Sequence, residues 1–150
     1  LLEFLIVIVI IAILAGLALP MARGISGHDA TRAAEHMALL VNQAQLESMM
    51  TSRIWKLVID TSGNSYHFQS LGPSGDFDNI ATGSPVAGEH VYTGVDLGEL
   101  IINGMEAVSG GEVFLFPTGE QDTFSVTLRQ ADQQRTVTMD PVGPAGVLPR

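Results

Sequence analysis

From Phe4 to Leu19 the chain runs without a charge or a strongly polar side chain. With Leu1, Leu2, Met21 and Ala22 the run reaches roughly twenty apolar positions, the length a helix needs to cross a hydrocarbon core of ~30 Å. Glu3 and Pro20 alone interrupt it, one near each end. Proline removes a backbone donor and crowds the preceding turn, so Pro20 predicts a kink in a helix that continues. Gly24 and Gly27 loosen the next turns. Ala30, Ala33, Met37, Leu40, Ala44 and the Glu47/Ser48 turn then recur in three- and four-residue steps, with Arg32, Glu35, Asn42, Gln43 and Gln45 largely off that stripe. Such spacing predicts an amphipathic helix over 29–53. One helix from Leu1 to about Arg53 would be ~80 Å long, apolar all round in its first half and on one face in its second.

After Arg53 the period changes to two. Trp55, Leu57 and Ile59 alternate with Lys56, Val58 and Asp60, Thr61-Ser62-Gly63-Asn64 makes a turn, and Tyr66–Leu71 returns. This is a predicted hairpin. Residues 72–90 are rich in Gly, Pro, Ser and Asp and read as a long loop. Val91–Val95 and Glu99–Ile102 are weaker strands. Val113–Phe116, closed by Pro117-Thr118-Gly119, is a short apolar strand. Phe124, Val126 and Leu128 alternate with polar residues, Ala131–Gln134 turns, and Arg135–Asp140 pairs back with Val137 and Met139 on one face. Gly143–Leu148 closes the domain. The fold class is therefore α+β, a long N-terminal helix packed on an antiparallel sheet with one buried face.

Charge narrows the partners. From Ile54 to Arg150 four basic residues stand against twelve acidic ones. An acidic head without a clustered basic patch repels a phosphate backbone, so no nucleic-acid partner is expected. With no cysteine in 150 residues, a disulfide, a thiolate metal site and a cysteine nucleophile are all excluded. His28, His36, His67 and His90 follow no ligand spacing and read as solvent-facing side chains. Asp76, Asp78 and Asn79 offer three oxygen-bearing side chains. A calcium ion wants six to eight oxygens, so these three are a bare candidate and the solvated acidic loop is the plainer reading. No G-x-S-x-G elbow, phosphate loop or dinucleotide fingerprint is present, and no cofactor or catalytic residue is expected.

The first basic residue, Arg23, follows the apolar run, the reverse of a secretory signal peptide. The absence of an initiator Met predicts a start already processed or trimmed. A carboxylate inside such a span costs roughly 2.5–3.5 kcal/mol at mid-bilayer and by default marks a functional site. LLEFLIVIVIIAILAGLALP resembles the N-terminus of type IV pilins and of the pseudopilins of type II secretion, which begin with a Phe-Thr-Leu-Leu-Glu-like sequence after a cleaved leader. Leu1-Leu2-Glu3 matches its Leu-Leu-Glu part and Pro20 its helix-kinking proline. The leader, the cleavage-site Gly and the two residues before Leu1 have no counterpart in the sequence. Further on, Val113-Phe114-Leu115-Phe116-Pro117-Thr118-Gly119-Glu120 followed by Phe124-Ser125-Val126-Thr127-Leu128 resembles the H-type minor pseudopilins and the minor pilins of the FimT/FimU group. Residues 72–110 match nothing.

The resemblance implies a type IV pilin-like fold with a transmembrane or filament-core half-helix at 1–22, an amphipathic half at 23–53 and a β-rich periplasmic head at 54–150. It implies a single-pass protein of the bacterial inner membrane that moves from lipid into a pseudopilus at or near its tip. The implied partners are the other minor and major pseudopilins, the inner-membrane assembly platform and the exported cargo. In that setting Glu3 pairs with an N-terminal amine as subunits pack, and Gly16, beside Ala12 and Ala15, permits close helix approach. Two other readings stay open: a minor pilin serving motility, adhesion or DNA uptake, and a membrane-anchored periplasmic enzyme.

Overall fold

The computed structural model describes residues 29–149. Glu3, Gly16, Pro20 and the whole apolar run lie outside them. Helix α1 spans Asp29–Thr51. Its start is tied to the β region, because Ala30 N–H donates to Gln130 Oε1 at 3.1 Å. At its end Ser52 adopts φ 52° and Arg53 N–H donates to the Ser48 carbonyl at 3.2 Å. That is a Schellman closure with a serine in the left-handed position. Among the described residues no helix is long and apolar enough to cross a membrane.

Ten strands follow, in two antiparallel sheets rather than the single sheet expected. In the first, β1 (Trp55–Asp60) lies between β2 (Ser65–Leu71) and β7 (Gly111–Leu115). The expected loop 72–90 contributes β3 (Phe77–Asn79) and the start of β4 (Glu89–Val91), which share the outer edge of β2. The second sheet has the order β10-β9-β8-β5-β6, with β5 at Asp96–Ile102, β6 at Met105–Glu106, β8 at Phe124–Gln130, β9 at Gln133–Met139 and β10 at Gly146–Pro149.

The alternation read in the sequence survives in three dimensions. Trp55, Leu57 and Ile59 face a common core with Phe124, Val126, Leu128, Val137 and Met139, and α1 covers it with Met37, Leu40, Val41 and Ala44. Of the predicted helical stripe, Ala30, Met37, Leu40, Ala44 and Ser48 are buried, and Ala33 and Glu47 are half-buried. In β5 the register slips between Leu97 and Leu100, which oppose Leu128 and Val126. This bulge lets two leucines three residues apart face inward together.

Asparagines hold the crossings between sheets. Asn64, at φ 51°, accepts from Leu97 N–H on its side-chain oxygen at 2.9 Å and from Tyr92 N–H on its carbonyl at 2.9 Å. Asn103, at φ 50°, exchanges bonds with Thr123, its N–H donating at 2.9 Å and its Oδ1 accepting at 3.0 Å. Asparagine tolerates the left-handed region and carries its own donor and acceptor, which suits both posts. Gly110 is required for another reason. At φ +131° its missing Cβ would lie 2.2 Å from the Ile59 carbonyl, so any side chain there would push β7 off β1.

The free edge of β7 is occupied by its own following turn. Asp122 Oδ2 accepts from Phe114 N–H at 2.9 Å, Asp122 N–H donates back to the Phe114 carbonyl at 3.0 Å, and Phe116 N–H donates to the Glu120 carbonyl at 2.9 Å. The C-terminal strand is fastened to the helix by one side chain. Asn42 Oδ1 accepts from Ala145 N–H at 2.7 Å while its Nδ2 donates to the Ala145 carbonyl at 3.2 Å.

Candidate assembly surface

The residues singled out in the 72–90 loop do not converge. The Asp78 carboxylate folds back over Gly72, where a Cβ would meet its Oδ2. Asn79, next along the strand, turns to the other face and accepts from Gln69 Nε2 at 3.2 Å. Asp76 contributes its carbonyl to Gly72 N–H at 2.7 Å. Among the described residues no group of three or more His, Asp or Glu side chains is placed to hold a metal.

Two clefts flank the 80–88 loop. One, of about 440 Å³, is lined by Glu47, Trp55, Ser70, Ile80, Thr82 and Ser84 among others. Its sole ionisable group is Glu47. The other, of about 330 Å³, holds His67 and Glu89, and the Glu89 carboxylate is engaged by Ser65 Oγ at 2.8 Å. Neither cleft presents the nucleophile–base–orienter chain that covalent catalysis requires.

The helix carries the most distinctive surface. Opposite its buried stripe, Leu39 is 65% exposed, Leu46 49% and Met50 73%, with Met49 beside them. Steps of seven and four place Leu39, Leu46 and Met50 on one line along the helix, and Arg32 and Gln43 fall on the same side. The helix thus presents apolar side chains on two sides, one filling the core and one exposed. Reading one stripe at a time finds only the inner one. The outer one is visible in the sequence as the same three-to-four period shifted by half a turn.

A second apolar group lies on the outer face of the first sheet. The Phe77 and Phe114 rings meet at 6.0 Å and Phe114 and Phe116 at 6.4 Å. Lys56 sits 4.5 Å above Phe77 and pairs with Glu112 at 2.7 Å. Phe114 and Phe116 belong to the Phe-Leu-Phe-Pro stretch that carries the second sequence resemblance, and Phe77 joins them from β3.

The fold also joins histidines that the sequence shows as scattered. His36 on α1 and His90 on β4 have ring centroids 6.0 Å apart. His90 stacks on Tyr66 at 4.9 Å. The Tyr92 hydroxyl donates to the Ala33 carbonyl at 2.9 Å, and burial raises the pKa of both tyrosines above the usual phenol range. Ligand spacing along the chain gives no sign of this cluster, because one member comes from the helix and the others from the sheet.

No family model matches the chain, and no curated protein does. The architecture has solved counterparts. A structure of the minor pseudopilin EpsH from the type II secretion system of Vibrio cholerae superposes with a TM-score of 0.68 at 14% identity, covering 80% of this chain and 95% of that one. A crystal structure of the same protein gives a TM-score of 0.59 at 14% identity, covering 83% and 95%. The helix and its two antiparallel sheets thus have the fold of an H-type minor pseudopilin head, in keeping with the resemblance drawn from the sequence.

Proposed function

We propose that the chain is a structural minor pseudopilin of a type II secretion system. Its apolar segment 1–22 holds it in the inner membrane as a single span, with the acidic head in the periplasm. The same segment then packs into a pseudopilus, at or near its tip, beside the other minor pseudopilins and the major one, after handling by the inner-membrane assembly platform. The observation that carries this reading is the second, outward apolar stripe on α1, which the head itself leaves bare. A helix that needs a partner on its outer side, continuous in sequence with a membrane-length apolar run, suits a subunit of a helical filament. The likeness of the head to a minor pseudopilin of a type II secretion system supports export as the process served. Function in this reading is assembly.

A clean deletion in the native host tests it. The expected result is exported protein trapped in the periplasm with twitching and DNA uptake unchanged. Normal export with loss of pili or transformation would move the protein to a type IV pilus. Export, motility and DNA uptake all unchanged would refute an assembly role.

A further inference from the structure

We propose that His36 and His90 form an acid-sensitive latch that fastens the strap 86–92 to helix α1 and releases it as pH falls below neutrality. The strap is held at three points. Val86 is fully buried, β4 pairs with Ser65–His67 of β2, and the Tyr92 hydroxyl reaches the Ala33 carbonyl. His90 fills the space between strap and helix, its ring stacked on Tyr66 and edge-on to His36. Its Nε2 is buried without a hydrogen-bond partner. A neutral ring tolerates that position, whereas a protonated one would place an uncompensated N–H and a charge there.

The side chains around it offer that charge no counter-ion. From α1 it meets His36, itself flanked by Arg32 and Glu35 on the exposed side. From β2 it meets the Tyr66 ring, whose phenol is approached in turn by the Tyr92 hydroxyl, and burial raises the pKa of both phenols. The carboxylate next to it in sequence, Glu89, is turned to Ser65. Burial first, and then His36, hold His90 below the usual imidazole range, against a smaller opposing pull from the Val86 backbone. A base whose folded pKa is depressed is protonated more readily when released. The latch is therefore fully closed above the ordinary histidine pKa of about 6.5 and weakens as pH drops through and below it. Opening uncovers Tyr66 and the Ala33 side of α1. The row Ala33, His36, Leu39 then leads from the uncovered side to the outer stripe.

Hydrogen exchange on the full chain in detergent micelles tests this, with rates corrected for intrinsic chemistry and peptides covering 86–93 compared with 124–139. Between about pH 7.5 and pH 5.5 the strap should lose protection, by up to about tenfold, while the β8–β9 hairpin keeps its own. His90→Phe retains the stacking and removes the titration, so its strap should stay equally protected at both values. Equal strap protection at both values in the wild type overturns the latch, as does an undiminished response in His90→Phe. Should His90→Phe fail to fold, His36→Gln on the exposed helix face decides. A reduced response there supports the latch, and an unchanged one overturns it.

Discussion

Replacing Leu39, Leu46 and Met50 together by glutamine probes the outer stripe without touching the core. Fully burying one such side chain is worth ~1.5–3 kcal/mol. With exposures of 65%, 49% and 73%, covering all three in an assembly is worth roughly 3–5 kcal/mol. Only part of such a gain appears as affinity, because association also orders side chains and strips water from polar groups. At 1.4 kcal/mol per decade the triple variant should bind its neighbours ~100-fold more weakly. The monomer should hardly notice. Glutamine nearly equals leucine and methionine in helix propensity, and each site points away from the core, so each change should cost within ~0.5 kcal/mol. The assay is cross-linking of the full chain in native membranes beside export of cargo, with thermal melting as the folding control. Wild-type cross-linking and export from a normally folded triple variant would refute the claim that this stripe is an assembly surface.

Removing the Asn42 clamp bears on stability. Asn42→Ala forfeits two hydrogen bonds to Ala145, ~0.5–1.5 kcal/mol each, offset by ~0.6 kcal/mol of better helix propensity. A net loss of ~1–2 kcal/mol should lower Tm by roughly 4–10 °C and raise exchange in β10, and a Tm within a degree of wild type would sink the clamp. Glu3→Ala should leave the chain in the membrane fraction yet impair its incorporation into filaments, and normal assembly of that variant would show that the carboxylate has no pairing role.

Much of the head was legible in the sequence wherever one face alone is buried. Trp55-Leu57-Ile59 and Phe124-Val126-Leu128 alternate cleanly because their partners across the sheet are fixed in register, and both runs point inward in the structure. The signal fades where geometry breaks the period. Leu97 and Leu100 are both buried through a bulge, which leaves no alternation to read. β3 and β4 are three residues each and owe their form to the edge of β2, so a composition of Gly, Pro and Asp reads as loop. The division into two sheets rests on pairings between strands distant in the chain, such as β1 with β7 and β5 with β8, which leave no local pattern. The outer stripe is present in the sequence but masked, since the inner stripe already accounts for the helix. The histidine cluster could not have been found from spacing, because β4 brings His90 to His36 across fifty-odd residues of intervening chain.

The occupied edge of β7 matters most for a molecule that meets many copies of itself. A bare strand edge is a template: any extended segment can add to it, and addition repeats without a natural end. Here the 116–122 turn spends its own backbone groups and the Asp122 carboxylate on that edge. Stray β-pairing is thereby suppressed at the place where the Phe-Leu-Phe run would be stickiest. The apolar surface left bare is then that of the helix, where backbone groups are already paired within the helix and cannot template a strand. One aspartate, by closing that edge, thus leaves open-ended strand addition no template along the aromatic run.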